Sequence, residues 1–302
     1  MATKTYPAAG QAIPPVAVPL KQILFLTDFS HVSDAALDYA LAVARTYESH
    51  LFVAHILEPL YVEGPEAALR ASELLRRSAE EDMAELLISA RLRGVPHDVI
   101  LEEGPLWGTI EHLVQEKGID LVILGTHGRT GATKLVLGSV AEQIYRKAVC
   151  PVLTVGPMAR RAVGQEAQFR QILFATDLRP TSERAAAYAL SIAEQHCARL
   201  TLLHVEEYPC SKAPMPLLDL KRQEMERMRS LIPAGVRLVI EPQLAVAFGE
   251  PSDEIVGVGR DERADLIILG LRGGARLSGH LPATTAYRVV CSAPCPVLTV
   301  HS

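Results

Sequence analysis

The sequence predicts an α/β protein made of two tandem copies of one domain, each a parallel sheet with helices on both faces. Three observations carry this. At roughly 150 residues per domain, a chain of 302 residues has length for two. Blocks of sequence return in the same order: Ile23-Leu-Phe-Leu-Thr-Asp28 as Ile172-Leu-Phe-Ala-Thr-Asp177, Asp120-Leu-Val-Ile-Leu-Gly125 as Asp265-Leu-Ile-Ile-Leu-Gly270, and Cys150-Pro-Val-Leu-Thr-Val155 unchanged as Cys295-Pro-Val-Leu-Thr-Val300. Within a copy, short unbroken apolar runs alternate with amphipathic stretches, the pattern of strands buried on both faces and the helices that cross between them.

In the first copy, residues 23–26 form the first buried strand. Residues 33–47 place Ala36, Tyr39, Ala40, Val43 and Ala44 at three-and-four spacing, which predicts an amphipathic helix with Ser33 as its N-cap. Residues 51–56 read as the second strand. Residues 65–92 read as a long charged helix, with Leu69, Leu74, Leu75, Met83, Leu86 and Leu87 as candidates for its apolar face. A strand at 99–101, a helix at 110–116, a strand at 121–124, a helix at 139–147 and a strand at 151–155 complete the copy. Pro151 is tolerated because the first residue of a strand need not donate to the ladder. In the second copy Ser252 is read as a helix start.

Residues 1–20, with Pro7, Pro14, Pro15 and Pro19, read as a flexible tail, 21–156 as the first domain, 157–169 as a linker and 170–302 as the second domain. Hydrophobic residues at 49 % and charged residues at 22 % are ordinary for a soluble globular chain and exclude extensive disorder, collagen and disulfide scaffolds. With 30 basic against 35 acidic residues, the net charge of −5 gives no electrostatic reason to expect nucleic acid as a partner. No apolar run reaches the roughly 18 residues of a membrane span, and the first residues lack the apolar core of a secretory signal. A cytoplasmic protein without a membrane partner is expected. Cys150, Cys197, Cys210, Cys291 and Cys295 are five in number and mostly isolated; they read as small buried residues in a reducing cytoplasm, with no disulfide and no metal site.

In open parallel sheets ligands sit beyond the C-terminal ends of the strands, where strand order reverses. That directs attention to Thr27-Asp28, Ile56-Leu57 and the segment from Gly125 onward. The last reads Gly125-Thr-His-Gly128-Arg-Thr-Gly131-Ala-Thr-Lys134-Leu-Val-Leu-Gly138-Ser139-Val140. Repeated glycines let backbone N–H groups approach a ligand, and successive amides make an anion-binding concavity. Gly138-Ser139 then opens a helix, whose first N–H groups are unpaired and whose dipole favours an anion. Arg129 and Lys134 add positive charge. A phosphate chain is the inferred ligand, with a merely flexible turn as the alternative. The segment is neither a P-loop nor the dinucleotide fingerprint.

Gly125-x2-Gly128-x9-Gly138-Ser139, with Thr27-Asp28-Phe-Ser after the first strand and Cys150-Pro-Val-Leu-Thr-Val at the close, resembles the universal stress protein family over nearly all of residues 21–156 and 170–302. The resemblance implies a tandem member with a five-stranded, Rossmann-like fold of the adenine-nucleotide alpha-hydrolase type, in the branch that binds ATP. Asp28 would then sit near the adenosine, with Thr27 beside it, and Ile56 would offer backbone contacts to adenine. Gly125 and Gly128 would line the ribose and phosphates, with Thr126, His127 and Arg129 in the same loop. Gly138, Ser139 and Val140 would bind the phosphates, and Mg would be held mainly by the nucleotide. A turn or capping role is the alternative for Asp28.

The second copy keeps Asp177, Val205, Gly270 and Gly273, but the third glycine is Ala283 and the serine is Thr284, with Pro282 stiffening the loop. Weaker or altered nucleotide binding is expected there. His55 and His204 read as satisfied histidines at strand ends, and His127 has no visible nucleophile to serve as a base. The resemblance also implies pairing of last strands across a two-fold axis. With both last strands in one chain, an intrachain pseudo-dimer is expected, with further homodimerisation open. The functional expectation is a nucleotide-dependent stress-response regulator; the alternatives are a slow Mg-dependent ATP hydrolase and a non-binding structural module.

Overall fold

A computed structural model describes residue 18 and residues 20–59, 63–126, 137–159, 169–207, 216–236, 238–271 and 284–301. The first half contains β1 (Gln22–Leu26), α1 (His31–Tyr47), β2 (His50–Leu57), α2 (Pro65–Ile88), β3 (His97–Glu103), α3 (Leu106–Glu116), β4 (Leu121–Gly125), α4 (Ser139–Lys147) and β5 (Val152–Val155). The second repeats it with β6 (Gln171–Ala175), α5 (Glu183–Gln195), β7 (Arg199–Glu206), α6 (Leu217–Ser230), β8 (Gln243–Phe248), α7 (Pro251–Asp261), β9 (Leu266–Leu271), α8 (Thr285–Ser292) and β10 (Val297–His301).

The strands form one ten-stranded sheet in the order β3-β2-β1-β4-β5-β10-β9-β6-β7-β8. Every pairing within a half is parallel; β5 and β10 meet antiparallel, with Leu153 opposite Leu298. Each contributes a buried threonine to the joint. Thr154 donates its hydroxyl to the Val297 carbonyl and Thr299 donates to the Val152 carbonyl, both at 3.2 Å. The duplicated hexapeptide thus pairs with its own copy through a reciprocal contact.

The unbroken apolar runs are explained by two cores, one on each face of the sheet. Successive side chains of a strand point to opposite faces. Ile23 and Phe25 therefore join α1 and Val53 on one face, while Leu24 and Leu26 join α3, α4 and Ala54 on the other. Both cores run across the β5–β10 joint into the second half, where Phe174 and Leu173 take the corresponding faces.

Five local expectations are corrected. Cys197, expected to be buried, is exposed, whereas Cys150, Cys291 and Cys295 are buried. Ser30, not Ser33, caps α1: Ser30 is extended (φ −76°, ψ 160°) and its hydroxyl accepts from the Ser33 N–H, so the helix starts at His31. Glu250, not Ser252, precedes the first turn of α7, accepting from the Ser252 N–H. The helix expected from residue 110 begins at Leu106, since Trp107 and Gly108 are helical. In α2 only Ala79 and Met83 are buried; Leu69, Leu74 and Leu87 face outward. No helix among the described residues is long and apolar enough to cross a membrane.

Candidate functional site

The strand order reverses at β1, flanked by β2 on one side and β4 on the other, and a crevice beyond their C-terminal ends follows from that reversal. Thr27 leaves β1 anchored on three sides. Its N–H bonds Ala54, its hydroxyl oxygen accepts from the Phe29 N–H and the Ser33 hydroxyl, and its carbonyl accepts from His55 Nδ1 at 2.7 Å. Asp28 accepts from the Ser30 N–H, an Asx turn that orients the entry to α1. Phe29 sits at φ +58°, a conformation unusual for a side-chain-bearing residue.

The second half repeats this turn. Thr176 accepts from the Leu178 N–H and from His204 Nδ1, Asp177 accepts from the Arg179 N–H and the Ser182 hydroxyl, and Leu178 has φ +56°. The shared turn gives Asp28 and Asp177 a local structural duty. Ile56 and Val205 are the penultimate residues of β2 and β7, half-buried at the same strand ends.

Gly125 ends β4. A Cβ there would lie 3.1 Å from Val32 Cγ1 and 3.3 Å from the Ser33 nitrogen, so the glycine lets the first turn of α1 close on the strand. Thr126 is fully buried. Its N–H bonds Val155, and its carbonyl accepts from the Gly138 N–H at 2.8 Å. The two ends of the glycine-rich segment are thereby pinned together at the mouth of the crevice. His127, Gly128 and Arg129 lie outside the described residues. Gly138 is extended and offers no side chain to the first turn of α4, which begins at Ser139 and Val140.

The second half differs at this point. Thr284 caps α8, its hydroxyl oxygen accepting from the Tyr287 N–H at 3.3 Å. A Cβ on Gly270 would meet its neighbours no closer than 3.5 Å, so its helix approach is looser than that at Gly125. Gly273 lies outside the described residues. At the start of α7, the Ser252 hydroxyl holds the Glu250 carboxyl below the usual carboxylate range, with help from Arg288. Two contacts between the halves escaped the sequence. Tyr287 reaches the Leu137 N–H, and the Tyr145 phenol, pushed up to about 12 by burial, stands 3.5 Å from Thr284 Oγ1. No short-range pattern links residues so distant in sequence.

A tandem Rossmann-like α/β protein with a strand-end crevice in each half is the class these features define. The chain belongs to the universal stress protein family, which it matches over residues 19–156 and again over 168–301. It is 31 % identical over 140 residues to a universal stress protein of Methanocaldococcus jannaschii, covering 45 % of this chain and 81 % of that one. It is 34 % identical over 137 residues to one of Thermus aquaticus, covering 44 % and 99 %. A crystal structure of a universal stress protein from Archaeoglobus fulgidus shares the fold with a TM-score of 0.69 at 20 % identity, covering 93 % of this chain and 98 % of that one.

Proposed function

We propose that the protein binds ATP in the first-half crevice and acts as a nucleotide-dependent regulator, with Mg carried on the phosphates. The observation that supports this reading is the contrast between the two helix starts. Helix α4 has a glycine cap, no side-chain acceptor and a backbone bond that seats it against the end of β4, whereas α8 is closed by Thr284. Unpaired N–H groups and the positive end of the dipole favour a phosphate at the first and less so at the second. Gly138, Ser139 and Val140 would hold the phosphates, Gly125 and Thr126 would floor the site, and Thr27, Asp28 and Ile56 would flank the nucleoside. His127, Gly128 and Arg129 would close the loop over it. In the second half, Asp177, Val205, Gly270, Gly273 and Thr284 would form the weaker crevice. The antiparallel β5–β10 joint supports reading the chain as its own pseudo-dimer.

Calorimetric titration of nucleotide-stripped protein with ATP tests the reading, and the expected result is one site per chain. In Gly138→Asp, a carboxylate satisfies the helix start as a good N-cap while repelling a phosphate. That variant should keep its melting temperature and lose ATP. Absence of binding, together with absence of nucleotide carried through purification, would leave a structural module.

A further inference from the structure

Among the described residues, the second half contains a side-chain cluster that the first half lacks. His204, Glu206 and Glu224 place one ligand atom each within 4.8 Å of one another. His204 and Glu206 stand on the same face of β7, two residues apart, and Glu224 comes from α6. Glu224 is almost wholly enclosed, its side chain 4 % exposed, and one of its oxygens is held by Arg227 at 2.6 Å.

The hydrogen bonds fix which imidazole nitrogen faces the cluster. A carbonyl oxygen only accepts, so the contact of 2.8 Å between His204 Nδ1 and the Thr176 carbonyl places a proton on Nδ1. The remaining nitrogen, Nε2, lies 3.2 Å from Glu206 Oε1. In the neutral ring Nε2 carries a lone pair, so two acceptors face each other and a positive charge is needed between them. Two carboxylates also converge there, with the Arg227 guanidinium held against Glu224. A histidine whose far N–H is anchored on a backbone carbonyl is the usual arrangement of a metal-ligating imidazole. Around a tetrahedral zinc with bonds of about 2.0–2.1 Å, neighbouring ligand atoms stand about 3.3 Å apart; the His204–Glu206 pair is at 3.2 Å, and Glu224 lies within 4.8 Å of both.

The first half is an internal control. His55 makes the same bond to Thr27, but the residue two further along β2 is Leu57. Where α6 buries Glu224 and Met228, α2 buries Ala79 and Met83. The fold therefore closes with leucine and alanine at these places, and packing does not call for either carboxylate.

We propose that His204, Glu206 and Glu224 bind one divalent transition-metal ion, zinc being the best match to one imidazole and two carboxylates, with water completing the shell and Arg227 balancing Glu224. The site lies at the end of β7, beside the Val205 and Asp177 of the second-half crevice, and uses no cysteine; none of its three ligands is among the residues proposed for the nucleotide.

The full chain, stripped with a chelator and carrying Cys197→Ser to remove an exposed thiol, is titrated with Zn2+ by calorimetry and with Co2+ by visible absorption, in the absence of nucleotide. One ion per chain is expected, with a Co2+ spectrum of low coordination number and no thiolate band. The double variant Glu206→Leu/Glu224→Ala, which copies the first half, should fold and bind at least about a hundredfold more weakly. Glu224→Gln, nearly isosteric, checks the same loss should the double variant misfold. No saturable binding, or binding undiminished in both variants, would overturn the proposal.

Discussion

The Tyr287 phenol oxygen accepts a hydrogen bond from the backbone N–H of Leu137 at 3.2 Å, in a buried contact between the second half and the first. Leu137 immediately precedes the glycine that opens α4. Tyr287 also packs edge-on against Tyr145, with ring centroids 6.4 Å apart, and its own N–H is bonded to the Thr284 cap. The opening of each half's last helix is thus tied to the other half.

Tyr287→Phe keeps the ring and removes the acceptor, leaving the Leu137 N–H buried and unpaired. Such a group costs about 1–3 kcal/mol. A urea midpoint lowered to that extent, with an unchanged slope, is expected. If the midpoint does not move, the contact contributes nothing to stability.

Gly125 and Gly270 occupy matching strand ends but should not tolerate alanine equally. At Gly125 the new methyl meets the Val32 and Ser33 backbone at 3.3 Å and Val32 Cγ1 at 3.1 Å, so α1 must retreat. At Gly270 the nearest atom is Ala185 Cβ at 3.5 Å, an ordinary contact. Gly125→Ala should cost about 1–3 kcal/mol through overpacking, and Gly270→Ala about 0.5 kcal/mol or less. Equal losses in chemical denaturation would contradict the asymmetry.

Thr284→Ala removes the side-chain acceptor at the start of α8. The expected loss is about 0.5–2 kcal/mol. ATP should then bind at a second, weaker site as well, because the α8 start is left as uncapped as that of α4. A stoichiometry that stays at one site would mean that the loop, rather than the cap, is what weakens the second crevice.

The central strands were legible because each is buried on both faces, so an apolar run such as Ile23–Leu26 carries no polar interruption, unlike the partly exposed edge strands β3 and β8. The helix starts were less so. Ser30 and Ser33 are both good capping residues by type, and only the extended backbone at Ser30 decides between them. The spacing of leucines in α2 predicted a buried face, but Leu69 and Leu74 are exposed because the helix touches the sheet mainly through its C-terminal half, at Ala79 and Met83. The glycine motif and Asp28 were visible as a candidate site. What sequence could not supply was Gly125 packing on α1, Tyr287 reaching Leu137, or Glu224 meeting His204. Each depends on elements that only the chain's topology brings together.

Two half-buried histidines set the expected response to acid. His196 is packed between Phe169 and Tyr47, with ring centroids 5.1 and 5.9 Å away, and its Nε2 is buried with no hydrogen-bond partner among the described residues. Burial lowers its pKa below the ordinary histidine value. His301 is lowered as well, by burial first and by Arg184, against a raising contact with the Tyr145 carbonyl. In the unfolded chain both titrate near 6.5, so on acidification the unfolded state takes up these protons first. Their contribution is therefore full above pH ~6.5 and is lost as pH falls through that value toward the folded pKa. Urea midpoints should fall between pH 7.5 and pH ~5.5, above the range where carboxylates titrate. His196→Phe, which keeps an aromatic ring between Phe169 and Tyr47, should shrink that fall. A variant as acid-sensitive as the parent would remove His196 from the account.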